Sequence, residues 1–133
     1  MTAAYAAAAA LIVGTGAAHS VLGERLILRR LDVTSLPPTP FGGRDVTEGL
    51  VRAAWHLWTA ALLVMAGAMG SCAAVGPSDA CRAVGWVTGA SFASFLAIAL
   101  ALALFRRSPR LLLTHPAPLL FAVVAALAWW GAS

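Results

Sequence analysis

The stretch AAHSVLGERLILRR, residues 17–30, closes a long apolar run with His19, Ser20 and Glu24, then delivers Arg25, Arg29 and Arg30. The run before it carries no charge from residue 3 onward and is dominated by alanine. A junction of this kind is where a membrane-spanning helix emerges into water, and the arginines indicate the side on which it emerges. It also raises a second question: whether His19 and Glu24 only mark a helix end or belong to a binding site.

Three further runs repeat the pattern. With the first, at residues 3–22, they fall at 50–70, 83–105 and 111–131. Each approaches or exceeds the roughly 20 residues that cross about 30 Å of hydrocarbon at about 1.5 Å per residue. Unpaired backbone is too costly in lipid for open strands, so all four runs are expected to be helices. Composition agrees: 61% of the 133 residues are hydrophobic and 11% charged, against about 25% charged in soluble domains. The first run lacks the basic start and small-residue cleavage site of a leader peptide and is taken as a span. The expected fold is all-α, an integral membrane four-helix bundle forming one transmembrane domain.

There is no lysine, and the positive charge rests on nine arginines. Because they flank apolar runs, they indicate orientation and attraction to anionic lipid head groups; no nucleic-acid partner is expected. Arg25, Arg29, Arg30, Arg44 and Arg52 lie in or beside the first loop, Arg106, Arg107 and Arg110 in the third, and only Arg82 near the second. Loops one and three are therefore expected in the cytoplasm, with both termini and loop two outside the cytoplasmic (inner) membrane. Tyr5, Trp86, Trp129 and Trp130 fall at the expected outer ends, as interfacial aromatics do.

Loop two, CAAVGPSDAC, is bracketed by Cys72 and Cys81. On the outer side a disulfide persists, so the pair is expected to be a structural bridge closing a short turn. Loop one spans about 25 residues and includes LPPTPFGGRD, a Pro/Gly-dense connector. Asp45 and Glu48 have capping-box spacing and are expected to start the second helix.

Ionisable groups at membrane depth are costly and call for a reason. Glu48, Arg52 and His56 are spaced four apart and share one helix face, with Arg52 placed to pair with Glu48 and Thr59 extending the stripe. Ser20 and Glu24 form a second polar face, and the small Gly16, Ser20 and Gly23 admit close helix approach. The fourth run opens THPAP, with Thr114 as cap, His115 in the first turn and Pro116 tolerated there. The three histidines belong to three helices and fall in the same half of the membrane. The candidate ligand-binding set is His19, Ser20, Glu24, Arg52, His56 and His115.

Several chemistries would use such a set. A transition metal would take His19, His56 and His115, though no HxxxH, HExxH or CxxC spacing supports it. Haem would need two histidines at one depth. A phosphate-bearing lipid head group would meet the loop arginines. An oligomeric small transporter would need a continuous polar path, and the outer halves of the runs offer only Thr88, Ser91 and Ser94. No nucleophile elbow or P-loop is present, and GTGAA lacks the strand-turn-helix setting of a nucleotide fingerprint.

The combination HSVLGE with RAAWH, residues His19, Ser20, Gly23, Glu24, Arg52, Trp55 and His56, resembles a family of small, uncharacterised four-helix bacterial membrane proteins. The resemblance implies the four-span layout and no particular reaction. The expectation is a membrane component, more readily non-enzymatic than catalytic, whose inner-leaflet cluster binds a ligand or fixes helix packing. A haem- or metal-dependent redox protein is the alternative. A second copy or a partner subunit fits either.

Overall fold

The computed structural model describes residues 1–108, 110, 112 and 115–133. Among them the protein is all-helical, with no strand beyond an isolated Thr39–Gly43 bridge. The described residues include the α-helices α1 (Thr2–Leu26), α2 (Gly43–Val75), α3 (Asp79–Phe105) and α4 (Ala117–Ala132). Two short 3-10 turns, Leu28–Arg30 and Val33–Ser35, follow α1. Helices α1, α2 and α3 are long and apolar enough to cross a membrane. Helix α4 has 16 residues; the expected start at Leu111 and the expected cap Thr114 lie outside the described residues.

The apolar runs are helical, but the helices outrun them at charged ends. Helix α1 continues through Gly23 and Glu24 to Leu26. Helix α2 begins at Gly43, not at a capping box formed by Asp45 and Glu48. The reason lies in the connector. Thr39 and Gly43 exchange backbone hydrogen bonds of 3.3 and 3.1 Å around a turn with φ of 146° at Gly42 and 72° at Gly43. Arg44 Nε donates to the Leu36 carbonyl at 3.0 Å, and Thr47 Oγ1 to that of Pro37 at 2.7 Å. The connector thus satisfies groups at the helix start. Asp45 lies inside the first turn, where the helix dipole favours a carboxylate.

The contacts divide the chain into two compact units. One comprises Met1–Ile12 with Met65–Ser133. Here α2 ends on Gly76, left-handed at φ 84°, whose amide donates to the Cys72 carbonyl at 3.1 Å. Ser78 caps α3 by accepting from the Cys81 amide at 3.1 Å. A disulfide joins Cys72 to Cys81, with Cα atoms 5.4 Å apart. Tyr5 is buried, and its hydroxyl donates to the Cys81 carbonyl at 2.8 Å, beside the loop it is expected to lie level with. It can pack there because Gly85 and Gly131 have no side chain: a Cβ at Gly85 would lie 2.8 Å from the Ala128 carbonyl oxygen. Phe92, Phe95 and Phe121 pack edge to face in the same unit, with centroids 5.4 to 5.9 Å apart.

The second unit is Val13–Val64, in which the second half of α1 runs antiparallel to the first part of α2. A Cβ at Gly16 would be 3.7 Å from that of Leu62, and Gly23 lies beneath the Trp55 indole. Small residues on α1 therefore face large ones on α2, the arrangement that brings helices close without a polar driving force.

Candidate functional site

In the Val13–Val64 unit, α1 presents His19 and the adjacent Ser20 with Glu24 one turn on, and α2 presents Glu48, Arg52, Trp55, His56 and Thr59 on its facing side. Arg52 is the hub. Its Nε donates to Glu48 Oε1 at 2.9 Å, within one helix. Its Nη1 donates to Glu24 Oε1 at 3.2 Å and Oε2 at 3.4 Å, from the facing helix. Its Nη2 donates to the Leu28 carbonyl at 2.9 Å, just beyond the end of α1. One planar fork thus holds a carboxylate on each helix and the carbonyl of Leu28, which also accepts from the Leu31 amide at 3.4 Å in the 3-10 turn after α1.

Glu24 is shared further. Arg29 Nε lies 3.5 Å from Oε1, and His56 Nε2 lies 3.7 Å from Oε2. His56 is half exposed, and its Nδ1 is 3.4 Å from Ser20 Oγ. The side chains of Glu24, Glu48 and Arg52 are about one-third exposed or less, so their pairing is partly shielded from solvent. Arg29 and Arg52 balance Glu24 and Glu48 in formal charge.

One turn along the seam, the His19 ring stacks on Trp55, centroids 4.4 Å apart and planes 10° from parallel. Trp55 Nε1 donates to the His19 carbonyl at 3.1 Å. Gly23 makes this possible, because a Cβ there would run into the indole.

The structure brings His19, Ser20, Glu24, Arg52 and His56 onto one seam. His115 belongs to the other compact unit. That residue lies ahead of α4 and not in its first turn, and its Nδ1 accepts from the Ala117 amide at 3.2 Å. It acts as a local cap for the helix start. Among the described residues, no three His, Cys, Asp or Glu side chains gather as a metal's ligand set would. The Leu28 carbonyl, the stacking role of Trp55 and the contact of Arg29 with Glu24 do not enter the sequence reading, where Arg29 is expected only as a head-group contact. The GE and RAAW steps of the two motifs hold the signal for the stacking, since a glycine opposite a tryptophan implies ring-on-backbone packing.

No protein-family model matches the chain, and no curated protein or solved structure is significantly similar to it.

Proposed function

We propose that the chain is a non-enzymatic, multi-pass component of a bacterial cytoplasmic membrane, in which the Glu24–Arg52–Glu48 cluster fixes α1 against α2 at the inner surface. Loop-one arginines rest on anionic lipid head groups beside it. The observation that carries this reading is the level at which the charges meet. About 20 residues cross the hydrocarbon. Counted inward from Thr2 they end near Val21; counted back from Val75 they end near His56. Those two positions are neighbours in the seam, where Ser20 meets His56. Everything charged on either helix then lies on the aqueous side of one boundary.

Other features support it. Helix α2 is about 50 Å long at about 1.5 Å per residue, so its charged first turns extend past a bilayer of about 30 Å. Large apolar side chains stand exposed, including Leu57, Val64, Leu104, Leu119 and Trp130, each about two-thirds or more uncovered; a water-soluble surface rarely shows so much. The disulfide suits loop two on the oxidising side. The arginine bias then assigns loops one and three to the cytoplasm. Arg25, Arg29 and Arg30 are exposed, as are Leu26, Ile27 and the turn-tip Phe41, a mixture suited to head groups and the acyl boundary.

The test is to purify the protein gently in detergent and compare it with Arg52→Gln, Glu24→Gln and His56→Ala. A clamp predicts a clear fall in melting temperature for the first two, a smaller one for the third, and no stoichiometric metal or visible absorption in any. Anionic phospholipid should co-purify and be lost when Arg25, Arg29 and Arg30 are changed together to Gln. A stoichiometric metal or Soret band that vanishes in His56→Ala would replace this reading with a redox one.

A further inference from the structure

Arg29 stands between the seam cluster and solvent. Its Nε lies 3.5 Å from Glu24 Oε1, yet its side chain is 70% exposed, against 35% for Arg52. The backbone that carries it is fixed. Leu28, the preceding residue, is 1% exposed, and its carbonyl accepts from Arg52 Nη2 at 2.9 Å. On the other side, the Arg30 amide donates to the Ile27 carbonyl at 3.0 Å. A pinned turn thus holds a long, solvated cation beside the cluster.

Glu24 does not depend on that cation. Arg52 Nη1 donates to Oε1 at 3.2 Å and to Oε2 at 3.4 Å, and His56 Nε2 stands 3.7 Å from Oε2. The Arg29 contact is longer than either bond from Arg52, and exposed pairs of this kind hold weakly. Because the Arg29 side chain turns back to Glu24, its guanidinium sits near the level of that residue. Glu24 is three residues past Val21, where α1 leaves the hydrocarbon, or about 5 Å at about 1.5 Å per residue. Head groups occupy that level, since they add roughly 5–8 Å to each side of the core. Arg25 and Arg30, exposed beside it, draw anions to the same place.

Resting on the reading that the loop-one arginines meet anionic lipid, we propose that Glu24 and a lipid phosphate compete for Arg29. The ionisation of Glu24 then sets how tightly this surface grips an anionic head group. A guanidinium fork fits carboxylate and phosphate alike. A phosphate drawn to Arg29 also meets the Glu24 carboxylate as a like charge, so each anion weakens the hold on the other. When the phosphate takes Arg29, Arg52 retains Glu24 and the seam stays closed.

The competition is read as a difference between two gains. The protein in detergent micelles is titrated with dioctanoylphosphatidylglycerol, and bound lipid is counted by native mass spectrometry. Glu24→Gln raises affinity in any background by removing a negative charge, and release of Arg29 adds to that gain. The gain in the parent should exceed the gain in an Arg29→Gln background by roughly two- to fivefold, the strength of an exposed ion pair. Glu24→Asp keeps the charge but withdraws it from Arg29. It should raise affinity in the parent and leave the Arg29→Gln background unchanged. Equal gains in the two backgrounds overturn the proposal and leave the head-group reading intact. Full binding by a variant with Arg25, Arg29 and Arg30 all changed to Gln overturns both. Inorganic phosphate should fail to displace the lipid at equal concentration; displacement would identify a free anion as the ligand and overturn the lipid assignment.

Discussion

Arg52 concentrates more of the seam's order than any other side chain, because three of its nitrogens are held by three different residues. Lysine cannot reproduce this: its ammonium is a point charge without a planar fork. Arg52→Lys should therefore melt below the parent and only modestly above Arg52→Met. Glu24→Gln combined with Arg52→Met should cost less than the sum of the two single changes, since each single change strands a partner. The i,i+4 relation of Glu48, Arg52 and His56 is legible from spacing alone, and the facing of Glu24 is a natural guess from charge. The Leu28 carbonyl is not legible, because it depends on how the chain tightens into a 3-10 turn after α1, which no side-chain pattern encodes. Nearby, Asp32 accepts from the Thr34 hydroxyl at 2.7 Å and its amide at 2.9 Å, which holds its carboxyl below the usual 3.8. A depressed carboxyl contributes order that is complete above its ordinary value and fades as pH falls through the lowered one. The protection of the Thr34 amide relative to its intrinsic exchange rate should accordingly fall only in strongly acidic solution, and Asp32→Asn should weaken that dependence.

Helix ends obey different rules from helix middles, and the distinction explains where sequence and structure part. Apolar runs locate α1, α2 and α3 because lipid-length hydrophobicity has few other uses. Their ends are set by capping and turn chemistry, where Thr39, Gly42 and Gly43 outcompete the spacing of Asp45 and Glu48. The burial of Tyr5 is not legible for a related reason: it depends on Gly85 and Gly131, distant in sequence, which open the place its ring fills. Gly85→Ala should push Tyr5 or the α4 backbone away and destabilise by roughly 1–3 kcal/mol in thermal or denaturant unfolding. The Cys72–Cys81 bridge closes a turn with sequence separation 9. Replacing both cysteines with serine should cost about 2–3 kcal/mol, measured against the oxidised parent. Reductant should lower the parent's stability and leave the variant unchanged.

For the molecule as a whole, the account joins a hydropathy pattern, a charge bias and a disulfide into one threading. Three apolar helices were readable from composition and length. The distribution of the arginines along the chain also underlies their proposed placement on one side, since crossing lipid with a guanidinium is costly. What a sequence pattern does not carry is the level at which two helices meet, and that level gives the cluster its proposed role at the inner surface. The most direct test uses a Cys72→Ser/Cys81→Ser background carrying a single cysteine, at Ser35 in loop one or at the C-terminal Ser133. Each is labelled with a membrane-impermeant maleimide in intact spheroplasts and in inverted vesicles. The account predicts that Ser35→Cys reacts only in inverted vesicles and Ser133→Cys only in spheroplasts. Labelling of Ser35→Cys in intact spheroplasts would place the arginine loop outside and contradict it.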